Sequence, residues 1–256
     1  MEDPWYLTLF ERDWYDVLAP GGASARSEAF DEATSAEVDF IVETLALPAG
    51  AFLLDLCCGW GRHAIRLAQR GLTVAGQDLS AYHIELGRKQ AEEAGVAVTW
   101  LEGDMRKIPL PDESVDAVIN MFTAFGYFDD EGNQTVLEEV SRVLRPGGRF
   151  LLDVINRDNL MRIYRETDWR ENEDGTFILE RRRWDGLAGR IHAEWTIVDP
   201  QGGRRTRCHD ERIYTLQELK LRLSGAGLKT VTTFGGCDGS DFERTSRRLI
   251  VLAEKG

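Results

Sequence analysis

Residues 53–71, LLDLCCGWGRHAIRLAQRG, constrain this chain more than any other stretch. An apolar run containing Asp55 ends at Cys57 and Cys58, passes through Gly59-Trp60-Gly61 and enters a helical pattern near Arg62. A strand that turns through glycines into a helix leaves backbone N–H groups at the helix N-terminus, and the glycines let a ligand approach the main chain. A nucleotide-like ligand at the strand's carboxyl end is the expectation. The spacing G-x-G-x-x-A is shared with dinucleotide enzymes, so the loop by itself leaves the ligand open. Thiol chemistry is the competing reading. A disulfide between adjacent cysteines is strained, and a metal site needs further ligands where only His63 lies close. The two cysteines therefore read as small buried side chains at a strand's end.

The loop sits in a longer rhythm. From Ala51 apolar runs alternate with amphipathic stretches: AFLLDL, HAIRLAQRG, LTVAGQD, AYHIELGRKQAEEAG, VAVTWLEGD, SVDAVINMF, QTVLEEVSRVLRPGG and RFLLDVIN. Short continuous apolar runs separated by helices describe parallel strands covered on both faces, a doubly wound α/β sheet. Upstream, DEATSAEVDFIVETLAL carries Val38, Ile41, Val42 and Leu45 at helical spacing. After Asn156 the period changes to two: TFILERRRWDG, GRIHAEWTIVDPQGG and RRTRCHDERIY read as three antiparallel strands, with Ile191, Ala193, Trp195 and Ile197 alternating against polar neighbours. The α/β pattern resumes at TLQELKLRLSGAG, where Thr215 and Glu218 form a capping box, and LKTVTTF and RRLIVLAE close the sheet. The expected organisation is a cap segment over 1–34, an α/β domain over 35–160 and 214–256, and an antiparallel β flap inserted over 161–213.

Three acids follow three consecutive strands. Asp55 lies inside the first, where a pyrophosphate gains nothing from an anion but a ligand's ammonium does. Asp78 ends the second, VAGQD, at the place of a carboxylate that accepts ribose hydroxyls. Asp104 follows the third, where it suits an adenine amine with Met105 packed on the ring. Each acid alone also reads as a turn or helix cap.

With these residues in view, the sequence resembles the class I S-adenosylmethionine-dependent methyltransferases. LLDLCCGWG is similar to their first motif, VAGQDLS to their ribose-binding acid, LEGDMRKIPL to their adenine-side loop, VDAVINMFTAFGYF to their fourth-strand motif and VLRPGGRFLLDV to their fifth strand. The resemblance implies a Rossmann-like seven-stranded sheet whose last strand is antiparallel, with the donor over the carboxyl ends of the first strands. It implies donor contacts from Tyr15, Asp55, Cys57, Gly59, Gly61, Arg62 and His63 on one side. Asp78, Leu79, Gly103, Asp104, Met105, Asn120 and Phe122 supply the other. TAFGYF and ERIYTLQEL are most similar to small-molecule enzymes with such a flap, including sugar and amine N-methyltransferases.

Methyl transfer from a sulfonium needs alignment and exclusion of water, not a covalent nucleophile or a metal. Tyr15 and Tyr127 are the candidate side chains beside the transferring methyl, with aromatic packing as the alternative. His63 reads as a first-turn helix residue facing solvent or donor. His209 and Arg212, on the last flap strand, either face the acceptor or pair with acids. Arg181, Arg182 and Arg183 cannot share one strand face, and the 44 acidic against 31 basic residues, net −13, repel a polyanion. No nucleic acid is expected. Asp153, Asn156, Asp158 and Asn159 stand where metal-dependent relatives place magnesium ligands, but Asn120 occupies a position that would want an acid, so no metal is expected. The N-terminus lacks a basic stretch followed by an apolar run, no segment reaches membrane-spanning length, and the four cysteines lack secreted spacing. A soluble cytoplasmic enzyme with a small-molecule acceptor and S-adenosylmethionine as donor is expected, and the sequence is compatible with a homodimer. A nicotinamide oxidoreductase and a noncatalytic donor-binding module remain as alternatives.

Overall fold

The computed structural model describes residues 4–10 and 28–256. Two helices precede the first strand, α1 (Trp5–Thr8) and α2 (Glu28–Leu45). The motif-bearing region then folds as β1 (Phe52–Leu56), α3 (Arg62–Gln69), β2 (Thr73–Asp78), α4 (Ala81–Glu93), β3 (Thr99–Glu102), β4 (Val115–Asn120), α5 (Asp130–Val143) and β5 (Leu144–Ile155). A short α6 (Arg157–Ile163) leads into β6 (Thr167–Glu171), β7 (Phe177–Asp185), β8 (Arg190–Val198) and β9 (Arg204–Arg212). The chain closes with α7 (Leu216–Gly225), β10 (Leu228–Phe234) and β11 (Arg248–Lys255).

The main sheet has the order β10-β11-β5-β4-β1-β2-β3, and β11 is antiparallel to both its neighbours. The seven-stranded, doubly wound sheet with an antiparallel last strand is therefore present. Strand alternation separates two cores. Leu54 and Leu56 of β1 join Val118, Phe150 and Leu152 beneath α5 and α7, while Leu53, Ile119, Leu151 and Ile250 pack beneath α2, α3 and α4. Each such leucine, fully buried, contributes roughly 1.5–3 kcal/mol before entropy is counted.

The second sheet, β6-β7-β8-β9, is an antiparallel meander. It has four strands where the sequence suggested three: TDWRE lacks an apolar face, and β6 forms only as an edge partner of β7. The cap on α7 matches expectation. Thr215 Oγ1 accepts from the Glu218 backbone, and Glu218 returns a carboxylate to the Thr215 N–H.

Candidate functional site

A cavity of about 630 Å³ opens at the carboxyl ends of β1 to β4. Its floor is made by Asp55, the Cys57–Trp60 turn, Asp78 and Gly103–Met105. Its walls come from α1 (Tyr6 and Leu7), Phe10, the loop after β4 (Phe122, Ala124, Tyr127, Phe128), Tyr82 and His83 of α4, and Arg205 and Arg207 of β9.

The two glycines of the turn do different things. Gly59, at φ +54°, has open space where a Cβ would stand, and it lines the cavity. Gly61 caps α3 at φ +78°, and a Cβ there would enter the Trp100 ring. Gly61 thus also meets a packing need: α3 comes so close to β3 that only a glycine fits.

Asp78 is held by two backbone donors, Gly59 N–H to Oδ2 at 2.8 Å and Ser80 N–H to Oδ1 at 2.9 Å. Each oxygen keeps acceptor capacity towards the cavity. Asp55 is 2% exposed, and its Oδ2 has no hydrogen-bond partner among the described residues. Burial pushes its carboxyl up to about 7; Arg62 and an Ala64 backbone bond oppose the rise, and the Asp78 charge adds to it. Asp104 is raised by burial but lowered more by Arg106, whose guanidinium binds both its oxygens, so it stays ionised below the usual range. An adenine amine at Asp104 would share the carboxylate with Arg106.

Cys57 adopts φ +63° and its thiol lies 3.5 Å from Met105 Sδ. Burial, reinforced by the charges of Asp78, Asp55 and Asp104, pushes the Cys57 thiol well above its ordinary value, and Cys58 behaves likewise. Neither is a thiolate at neutral pH. Leu79 and Gly103 line the cavity, and the Gly103 N–H donates to the Asp78 carbonyl.

His63 lines the cavity but does not face solvent. It is buried with Nε2 2.9 Å from Glu37, and burial, aided by Arg62, pushes it down to about 4. The contact is a hydrogen bond from a neutral imidazole, not an ion pair at neutral pH. Arg62, 9% exposed, binds Thr34 Oγ1 and the Glu37 carboxylate. Asn120 is buried and donates to the Leu56 carbonyl at 3.0 Å, tying β4 to β1.

Phe122 and Thr123 occupy the left-handed region at φ +63° and +61°. Asp153 imposes this turn: its Oδ2 accepts from Phe122 N–H at 2.9 Å and its carbonyl from Thr123 N–H at 3.0 Å. Arg248 binds both carboxylate oxygens of Asp153. Asn156 caps α6 and donates to carbonyls of residues 243, 244 and 246. Asp153 and Asn156, taken from the candidate magnesium cluster, thus have structural partners here.

Tyr127 lies on the wall, with its ring 4.8 Å from Trp5 and 5.9 Å from Phe10. Tyr15 lies outside the described residues. The two flap candidates do not line the cavity. His209 packs between Trp195, at 4.5 Å, and Trp5, at 5.9 Å, and burial pushes it down to about 4. Arg212 pairs with Glu218 and Asp130 and stacks on Tyr214, joining the flap to α7 and α5. Sequence reasoning missed Tyr6, Leu7, Phe10, Tyr82, His83, Arg205 and Arg207.

A methyltransferase-domain family model matches residues 53–148. The uncharacterized methyltransferase GK2543 of Geobacillus kaustophilus is 30% identical over 184 residues, covering 71% of this chain and 76% of that protein. This chain is a class I S-adenosylmethionine-dependent methyltransferase. The methyltransferase fold is shared with CcbJ of Streptomyces caelestis (TM-score 0.78, 23% identity, 87% of this chain and 90% of that one). It is shared too with S-adenosylmethionine-bound CalS10 of Micromonospora echinaspora, an amino pentose methyltransferase (TM-score 0.67, 23% identity, 91% and 94%). The methyltransferase spans only 54% and 45% of the length of two curated relatives named for small molecules, a 27-O-demethylrifamycin SV methyltransferase and a demethylmenaquinone methyltransferase. Its methyl donor is S-adenosylmethionine, and the nicotinamide reading is set aside. Among the described residues no helix is long and apolar enough to cross a membrane.

Proposed function

We propose that this methyltransferase transfers its methyl group to the amine or hydroxyl of a small molecule by in-line displacement, with S-adenosylhomocysteine as product. The observation that carries the donor assignment is the buried Asp55 oxygen without a partner, beside an Asp78 carboxylate anchored by Gly59. A cationic ligand end fits the first, and a vicinal diol fits the second. Bound S-adenosylmethionine supplies an activated methyl on a sulfonium. Asp55 would hold the methionine ammonium, and Arg62, braced by Thr34 and Glu37, its carboxylate. Asp78 would accept the ribose hydroxyls, with Leu79 against the adenosine; Asp104 and Met105 would take the adenine, and Gly103 would leave room for it.

The chain's remaining work is alignment and exclusion of water. Tyr127, fixed by Trp5 and Phe10, would present its hydroxyl to the acceptor's N–H or O–H, and Tyr15 would join it. The N-terminal segment over 1–34 and the flap over 161–213 would close over the donor held by the remaining α/β domain. The four cysteines are free, which suits a reducing cytoplasm. Calorimetry with S-adenosylhomocysteine tests the donor site: Asp78→Ala should weaken binding about 10- to 150-fold, since a hydrogen bond to a charged group is worth about 1.5–3 kcal/mol. Affinity within a factor of about two would remove the ribose assignment. Screening amines, amino sugars and phenols for S-adenosylhomocysteine formation identifies the acceptor.

A further inference from the structure

The flap strand β9 contributes two cations to the cavity that the donor does not call for. The register pairs Arg205 with Ile197, Arg207 with Trp195, Ala193 with His209 and Ile191 with Glu211. Ile191, Ala193 and Ile197 are buried, so this face of β8 points inward and the odd-numbered residues of β9 share it. His209 and Glu211 are spent in the interior, where burial pushes Glu211 up to about 8. Arg205 and Arg207 line the cavity, as do Tyr6, Phe10 and Tyr127.

Charge is thus divided across the cavity. The floor carries Asp55, Asp78 and Asp104, with Arg62 beside Asp55 for the donor's carboxylate, which matches a donor bearing an ammonium, a carboxylate and a sulfonium. The flap wall carries guanidiniums, in a chain whose net charge is −13. A neutral acceptor between them would leave like charges, sulfonium and guanidinium, facing each other across the cavity. An acceptor with an anionic group relieves that repulsion and places its nucleophile between opposite charges. Both arginines also make protein contacts, Arg207 to the Thr206 carbonyl among them. A guanidinium has five N–H donors in a planar fork, enough to hold a carboxylate or phosphate besides.

We propose that Arg205 and Arg207 select a methyl acceptor that carries an anionic group, carboxylate or phosphate, in addition to its amine or hydroxyl nucleophile. The proposal rests on the methyl-transfer reading above. It is tested by calorimetry on the full chain loaded with S-adenosylhomocysteine, using matched pairs: phenol and 4-hydroxybenzoate, ethanolamine and phosphoethanolamine, glucosamine and glucosamine 6-phosphate. The first pair reports on carboxylate and the other two on phosphate. In at least one pair the anionic member should bind about tenfold more tightly. That preference should fall below about threefold in the Arg205→Gln/Arg207→Gln double variant, while its affinity for S-adenosylhomocysteine stays within about twofold. A salt titration of the wild-type protein gives the same reading without a substitution, because the preference should shrink as ionic strength rises. The proposal is overturned if no anionic member outbinds its match, if the preference survives the double substitution, or if the variant loses S-adenosylhomocysteine in the same proportion. Failure of the wild-type protein to bind S-adenosylhomocysteine counts instead against the donor-site reading.

Discussion

Donor binding should expel a proton from Asp55. In the ligand-free protein burial raises this carboxyl to about 7, from the 3.8 of a solvated aspartate. An ammonium set against its unpartnered oxygen favours the ionised form, so the proton held before binding must leave. About 0.9 proton should be released per donor at pH 6 and about 0.5 at pH 7, with affinity tightening about fivefold over that interval. Calorimetry in buffers of different ionisation enthalpy measures the release as the slope of apparent against buffer enthalpy. The same shift sets a stability sign. An acid raised on folding supports the ligand-free fold fully below about pH 4, and this support is lost as pH rises towards 7, a change on the order of 4 kcal/mol. Asp55→Asn should therefore raise the melting temperature of the ligand-free protein at pH 7 while weakening donor binding and abolishing proton release. Opposite movement of stability and affinity marks a group whose burial is tolerated for its ligand. Buffer-independent binding heats at pH 6, or an Asn variant that keeps wild-type affinity, would refute the reasoning.

Gly59→Ala should lower donor affinity with a stability loss near 1 kcal/mol from its positive φ, whereas Gly61→Ala, driven into Trp100, should cost more than about 2 kcal/mol in urea melts and leave donor affinity of the folded fraction intact. Asp153→Asn, which leaves the half-buried Arg248 guanidinium without its counter-charge, should cost about 1–3 kcal/mol. Thr123→Gly, at φ +61°, should cost less than about 1 kcal/mol because glycine takes that conformation freely. Equal losses in the last two variants would show that Asp153 does not impose the turn.

The parallel core was legible because buried strands carry nearly unbroken apolar runs, and the floor acids because each lies within, ends or directly follows such a run. Side chains that reach the cavity from elsewhere had no local signal. Tyr6 and Phe10 sit in a short, aromatic, acidic segment whose docking depends on Tyr127 and Phe128, more than a hundred residues away in sequence. β6 was invisible for a different reason: an exposed edge strand needs no apolar alternation. The flap arginines, by contrast, could have been found. The alternation Ile191, Ala193, Trp195, Ile197 fixes the inner face of β8, and carrying that parity across the turn selects Arg205 and Arg207 and rejects Arg212. Only the register was missing, and a one-residue slip exchanges the two faces.

The position of the insert brings a separate part of this chain beside the proposed donor floor. β5 runs parallel to β4 and β1, so it leaves the sheet at the end where Asp55 and Asp78 stand, and whatever follows it emerges beside the donor floor. The meander is then fastened to the wall it helps build. The Arg212 N–H donates to the Gly126 carbonyl at 2.8 Å, Gly126 adopts φ +119°, and a Cβ there would strike the Arg212 carbonyl. Arg190 donates to the Phe128 carbonyl at 2.7 Å, and Arg106, which grips Asp104, stacks on the Phe128 ring at 4.0 Å. A continuous set of contacts thus runs from the expected adenine site to the flap through one loop, the one bearing Tyr127. Arg205 and Arg207 lie outside that set, and in the reading proposed above it is there that a sheet common to many methyltransferases would acquire an acceptor of its own.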